Sequence, residues 1–222
     1  LRPDLCLLLM SATLDLTNLR AQLPHAQVLM SEGKAFPVET QHLPPRPNEP
    51  LEGRVLRAIE QELTHLRTPQ VGGDHPSTVL VFLPGLREIE RSRQRLLKSS
   101  LLNRWEIIAL HGRQSLAEQG RALKPCNHEH DGRVVLATSI AESSLTLDGV
   151  RLVIDCGLTR HTHFDPGTGM EGLITVPASR ASADQRRGRA GRQTAGRCIR
   201  LWSPAEQQRR PAHDIPELQR AD

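Results

Sequence analysis

The sequence predicts an α/β domain in which a parallel sheet is flanked by helices. Short apolar runs rich in Val, Leu and Ile recur at residues 5–10, 78–83, 105–110, 133–138, 152–155 and 197–201. Continuous runs of this kind suit strands buried on both faces. Between them, Leu51, Val55, Ile59, Leu63 and Leu66 fall at helical intervals, as do Ile89, Leu96 and Leu97 in the segment after Gly85. Alternating strand and helix calls for parallel strands joined by helical crossovers.

The remaining elements follow in order. Residues 42–50 hold four of the sixteen prolines, and residues 68–77 hold two more beside Gly72 and Gly73, so both stretches are expected as loops flanking the long helix. Residues 158–176 form two extended arms around Asp165-Pro-Gly-Thr-Gly, which predicts a β-hairpin projecting from the sheet. Ser203, Pro204 and Glu206 open another helix through a capping box with proline at its first position. After Arg210 the chain turns proline-rich and polar, as expected of a lead into a further domain. No internal repeat is evident.

With 222 residues, one large α/β domain fits and two full enzymatic domains do not. Only three Phe, two Trp and no Tyr are present, so the core must be built from Leu, Val, Ile and Ala, and aromatic stacking is not expected to dominate any ligand contact. The chain begins at Leu1, and the run at 5–10 is too short for a signal sequence or a membrane span. The expectation is an internal segment of a soluble protein without a membrane partner.

Cys6, Cys126, Cys156 and Cys198 are widely spaced, three of them in apolar runs, which points to free thiols and a reducing, cytoplasmic setting. Cys126, His128 and His130 lie close in sequence, but their polar surroundings favour a solvated loop over a metal site. His161 and His163 would share a strand face and lack a carboxylate or Cys neighbour. No metal ligands are assigned.

Charge is unevenly placed. Residues 179–210 carry nine Arg against Asp184 and Glu206, a net of +7, so an overall charge of +4 leaves −3 for the rest. Arginine's planar fork of donors suits bidentate phosphate recognition. Within this segment, Gln185-Arg-Arg-Gly-Arg-Ala-Gly-Arg192 places Arg189 and Arg192 three apart, on one face if the helix continues, with Ser179 or Ser182 available as its cap. Gly188 and Gly191 each cost about 1 kcal/mol of helix propensity relative to Ala, so a plain solvated helix would not need them. Their smallness is expected to let a partner surface approach. Gly167, Gly169 and Gly172 satisfy G-x-G-x-x-G, but they overlie the hairpin turn rather than a helix N-terminus, which argues against dinucleotide binding.

The arginine string resembles motif VI of superfamily 2 helicases in the Q-R-x-G-R-x-G-R form of the DEAH/RHA group. Other motifs stand in the right order. Ser11-Ala-Thr13 looks like motif III. Val81-Phe-Leu-Pro-Gly-Leu-Arg-Glu-Ile89 looks like motif IV, with Leu110-His-Gly112 after the next run. Ala137-Thr-Ser-Ile-Ala-Glu-Ser-Ser-Leu-Thr-Leu-Asp-Gly149 is similar to motif V, and Asp165-Pro-Gly-Thr-Gly-Met170 matches that group's hairpin turn. Leu116-Ala-Glu-Gln119 and Arg180-Ala-Ser-Ala-Asp-Gln185 look most like bacterial HrpB-type members.

The resemblance implies the second RecA-like domain of an ATP-dependent helicase. Residues 1–24 would close a first RecA-like domain or its junction, 25–205 would form the second, and 206–222 would begin a helical or winged-helix region. Arg189 and Arg192 would be arginine fingers reaching the γ-phosphate of ATP, and Gln185 would position the attacking water. Asp148 would accept from the ribose, while Ser11 and Thr13 would link the nucleotide and strand sites. Gly85, Gly112, Arg113, Thr138 and Ser139 would hold phosphates of single-stranded RNA or DNA without reading bases. Thr138 and Ser139 suit ordinary helix caps equally well.

Neither G-x-x-x-x-G-K-[ST] nor D-E-x-H occurs, so ATP and Mg²⁺ are expected to be bound mainly by a first RecA-like domain, and this chain is not expected to turn over ATP alone. The run 152–155 ending in Asp155 is simply a strand end. Arg187 stands where relatives have a small residue. Leu123 lies near a position that is aromatic in many eukaryotic relatives, which implies weak contact with the nucleotide base. Residues 126–132 do not follow the family pattern. The competing reading is a non-catalytic nucleic-acid-binding module anchored by the basic segment.

Overall fold

The computed structural model describes residues 20–29, 36–67, 76–143, 145–165, 167 and 169–214, together with positions 2, 5, 6, 8 and 9. Residues 1–33 and 34–222 form separate units. In the first, Leu5, Leu8 and Leu9 are exposed and no strand is assigned among the described positions of the run at 5–10. This corrects the expectation of a strand there.

That sheet has six parallel strands: β1 (Val38–His42), β2 (Ser77–Phe82), β3 (Trp105–Leu110), β4 (Gly132–Ala137), β5 (Val150–Asp155) and β8 (Gly196–Arg200). Their order is β1-β8-β5-β2-β4-β3. A separate two-stranded antiparallel sheet, β6 (Leu158–Asp165) and β7 (Met170–Pro177), forms the hairpin. Every residue of β2, β4 and β5 is buried, Arg133, Arg151 and Asp155 included, and burial on both faces is why the centres of these strands read as apolar runs.

Side chains alternate between two cores, as a two-residue repeat requires. Val79, Val81, Val134, Leu136, Leu152 and Ile154 point to one core, closed by α1 (Leu51–Arg67) and α2 (Leu86–Leu97). Leu80, Phe82, Val135, Ala137 and Val153 point to the other, closed by α3 (Leu116–Leu123) and α4 (Ile140–Ser143) with Ala190 beside them. Register sets the strand ends in one row, because Phe82 pairs with both Ala137 and Asp155, Ala137 with Leu110, and Asp155 with Arg200. The loops that follow β2, β3 and β4 therefore leave one edge of the sheet, the usual place for ligands in parallel α/β folds.

Local signals account for the helix starts. Ser115 and Glu118 form a reciprocal capping box at α3, as do Ser203 and Glu206 at α6 (Pro204–Arg209). Ser179 caps α5 (Arg180–Arg187), accepting from the Ser182 amide at 3.1 Å and donating its own proton to Asp214 at 2.9 Å. The helix tightens after Arg187 into a 3₁₀ turn, Gly188–Gly191, rather than continuing as α.

The proline-rich loop before α1 is pinned by Arg57, whose guanidinium grips Glu49 at 2.6 and 2.7 Å. That grip, against the opposing effect of burial, holds the Glu49 carboxyl at about 2 instead of 4.5. A folded value below the unfolded one means the stabilisation is complete above the unfolded value and is lost as pH falls towards the folded one. A Glu49→Gln variant is expected to be less stable than the parent at neutral pH, with the gap narrowing below about pH 4. Urea denaturation across this range measures it, and a pH-independent gap would contradict the assignment.

Candidate functional site

The three principal arginines of the 185–192 string occupy three different environments. Arg186 is almost fully buried, with Nε on the Glu142 carboxylate at 2.9 Å, Nη1 on Asp155 at 2.9 Å and on the Leu158 carbonyl at 3.3 Å, and its guanidinium over the Phe82 ring. Burial alone would push its pKa down, but the Asp155 and Glu142 charges outweigh that and hold it above the usual arginine value. Asp155 is thus the strand end expected, and its carboxylate is engaged by Arg186 and the Gly157 amide.

Arg189 is also buried, yet its guanidinium donates to neutral carbonyls: Nε and Nη2 to that of Glu142 and Nη1 to that of Leu145 at 2.6 Å. Burial first, then the neighbouring Arg192, lower its pKa to about 10. It stays protonated at neutral pH, in surroundings that disfavour its charge. Arg192 is exposed and donates to the Thr146 hydroxyl at 3.2 Å. Half-buried Gln185 lies on the preceding helix, α5.

Asp148 sits at the end of the same loop. Gln193 donates to its carboxylate at 2.9 Å and accepts from the Gly149 amide at 2.7 Å, so the residue after the arginine string fixes the carboxylate's position. The segment 142–149 therefore brings Arg189, Arg192 and Asp148 together. Ser11 and Thr13 lie outside the described residues.

The two glycines differ. A Cβ on Gly188 would meet open space, which suits approach by another surface. A Cβ on Gly191 would stand 2.6 Å from the Phe36 carbonyl oxygen and 2.7 Å from Val38 Cγ2. Gly191 is small because the edge strand β1 packs there, which corrects its reading as clearance for a partner.

The remaining sequence-predicted residues converge elsewhere. Gly85, Gly112, Arg113 and Thr138 line one cleft of about 580 Å³ at the strand ends, and Ser139 is exposed next to it. Its floor is built by local hydrogen bonds: Gln114 accepts from the His111 amide at 2.9 Å and donates to the Ala109 carbonyl at 3.1 Å. Thr138 and Ser139 lead into α4, their backbone carbonyls accepting from the Ala141 and Glu142 amides. The hairpin supplies the opposite wall through Arg160, Leu173 and Thr175.

Elsewhere, Cys126, Cys156 and Cys198 are buried and Cys6 is exposed, all of them unpaired; this reverses the expectation that Cys6 is strand-bound. Burial pushes the Cys126 thiol up. Among the described residues no three His, Cys, Asp or Glu side chains are grouped to hold a metal. Leu123 packs against the second core. No helix among the described residues is long and apolar enough to cross a membrane.

The family model for the helicase conserved C-terminal domain matches residues 57–194, which contain both the cleft and the arginine string. The chain belongs to this family. It is 40% identical over its whole length to the ATP-dependent RNA helicase HrpB of Escherichia coli (strain K12), covering 26% of that protein. It is 36% identical, again over its whole length, to the ATP-dependent RNA helicase HrpA of the same organism, covering 16%. The crystal structure of the E. coli DExH-box NTPase HrpB superposes with a TM-score of 0.83 at 40% identity, over 98% of this chain and 26% of that one. The fold is thus that of a RecA-like helicase C-terminal domain, and the chain spans about a quarter or less of these relatives.

Sequence reasoning overlooked Arg186, Glu142, Gln193 and Arg160. Arg186 stands in the motif, but a buried role leaves no mark in a run of arginines. Removing its side chain strands the buried Asp155 carboxylate, so Arg186→Ala is expected to cost about 3–5 kcal/mol of stability, measured by urea unfolding. A loss below about 1 kcal/mol would show that Asp155 does not depend on it.

Proposed function

We propose that this chain is the second motor domain of an ATP-dependent RNA helicase and supplies arginine fingers to ATP bound mainly by a first RecA-like domain of the same polypeptide. The observation that carries this reading is the state of Arg189, a buried cation held by carbonyls, next to exposed Arg192 and open Gly188. An incoming polyphosphate would supply the counter-charge that Arg189 lacks among these partners. Phosphoryl transfer is accelerated chiefly by positioning and charge neutralisation, which two convergent guanidinium groups provide.

The rest of the half-site fits the same substrate. Asp148, held by Gln193, is an acceptor suited to a ribose hydroxyl, and Gln185 lies on the same segment as the fingers, where it would orient water. Ser11 and Thr13 would connect nucleotide and strand sites. The residues present offer cations and hydrogen-bond acceptors for the nucleotide, so Mg²⁺ would be held by the other domain. Residues 1–24 would belong to that domain or its junction, and 206–222 would lead into the next. The chain alone would not hydrolyse ATP, and the whole protein would work in the cytoplasm.

The cleft at the strand ends would hold the single strand through Gly112, Arg113, Thr138 and Ser139, with Gly85 shaping its wall. Contacts of this type go to phosphates and ignore base identity. RNA is favoured over DNA because the similar proteins are named RNA helicases.

The anchoring alternative is weakened by where the arginines of 179–210 point. Arg186, Arg197 and Arg200 pair with carboxylates, Arg189 and Arg210 donate to carbonyls, and only Arg180, Arg192 and Arg209 are exposed.

In the full-length protein, Arg192→Ala is expected to lower strand-stimulated ATPase about 10³-fold or more. Strand affinity without nucleotide should stay within about twofold, since the arginine lies outside the cleft. ATPase assays and fluorescence anisotropy on one preparation check both. Near-normal hydrolysis would refute the finger assignment, whereas preserved hydrolysis with lost strand binding would favour the anchor.

A further inference from the structure

The hairpin wall of the cleft contains a feature that the motif resemblance does not assign. Arg160 on β6 pairs with Thr175 on β7, and Thr162 pairs with Leu173 two residues on, so these side chains share the hairpin face that closes the cleft. The Arg160 guanidinium crosses to the sheet and meets Glu88 on the first turn of α2 at 3.0 Å. Both side chains are partly open to solvent, 31% and 23% exposed. A Cβ on Gly85 would overlap the Arg160 guanidinium, so this glycine is the seat of an arginine from the hairpin. Gly85 makes no side-chain cap for α2, and Arg87 and Arg113 line the same cleft.

We infer that Arg160 is a phosphate-binding residue of the strand track and that Glu88 is its resident counter-ion, which a backbone phosphate replaces on binding. This rests on the reading of the cleft as the strand site. The cleft is lined by three guanidinium groups, those of Arg87, Arg113 and Arg160, and by no acidic residue among those described, while Glu88 engages Arg160. A partly hydrated ion pair is worth little, so an incoming phosphate can exchange for the carboxylate at small cost. Arginine then makes charge-assisted bonds to the phosphate oxygens, and Leu173 offers an apolar surface to the sugar beside it. Glu88 thereby weakens strand binding in the resting domain and ties the hairpin to α2 when the cleft is empty.

The test uses the full-length protein and a labelled single-stranded oligouridylate without nucleotide, with anisotropy recorded at several salt concentrations. Arg160→Ala is expected to weaken binding about tenfold and to reduce the magnitude of the log-log salt slope by about 0.7, the value for one phosphate contact on a single strand. Glu88→Gln is expected to act in the opposite direction, tightening binding about two- to fivefold. If both substitutions weaken binding to the same extent, the pair is a structural brace and the inference fails. It fails equally if the parent binds and neither substitution changes the affinity. A parent protein that does not retain the oligonucleotide would bring down the reading of the cleft itself, a result distinct from either.

Discussion

The burial of Arg186 is the constraint on which the rest of this half-site depends. A guanidinium removed from water is costly, and here the cost is offset by two carboxylates, a carbonyl and an aromatic face. Those partners come from the end of β5, from α4, from the start of β6 and from β2. One side chain therefore fixes the helix α5 against four segments at once. With Arg186 consuming the nearby carboxylates, the arginine three residues later finds only carbonyls and the next one finds solvent. The gradient from paired to unpaired cation between Arg186 and Arg192 follows from where the two acids lie.

That gradient changes the meaning of the basic segment. Counted along the sequence, residues 179–210 look like a patch for a polyanion. Folded, most of their charge is spent inside: Arg197 bridges Glu39 and Glu62, Arg200 meets Asp184 at 2.7 Å, and Arg210 stacks on Trp202 while donating to the carbonyls of Gly157 and Ala178. Arg187 lies 3.8 Å from Asp184, the carboxylate that already holds Arg200. The cations left for a ligand are few and placed, which is what positioning chemistry needs and what a sliding electrostatic anchor does not.

The fold was legible where burial on two faces erased polar alternation. Residues 105–110 match β3 residue for residue, and β2, β4, β5 and β8 differ from the apolar runs by a residue or two at their ends. The hairpin was legible from turn chemistry, and α6 from its capping box. β1 was not, because Val38-Glu-Thr-Gln-His42 is an edge strand with alternating exposure and no apolar run. α3 went unread although Ser115 and Glu118 carry the same cap signature as α6. For the site, the motif string singled out Arg189 and Arg192 but carried no sign of the unequal burial of its arginines, since that depends on Asp155 and Glu142, which are 31 and 44 residues from Arg186 in sequence. Nor could it find Arg160, whose meeting with Glu88 spans 72 residues and depends on how the hairpin folds back.

The cleft and the arginine face are joined by α4, a helix of four residues. Its entry is Thr138 and Ser139, whose carbonyls accept its first amides beside the cleft. Its far end is Glu142, whose carboxylate holds Arg186 and whose carbonyl holds Arg189. One helical turn has no internal slack, because each of its few hydrogen bonds is shared with an end. On the proposed reading, a strand that shifts the Thr138 loop would shift the carbonyl that seats Arg189, and a phosphate that draws Arg189 from that carbonyl would loosen the same turn. By linkage the two effects would then be equal in free energy whichever ligand arrived first. One turn thus carries a cleft-lining residue at its start and the carbonyl of a buried cation at its end.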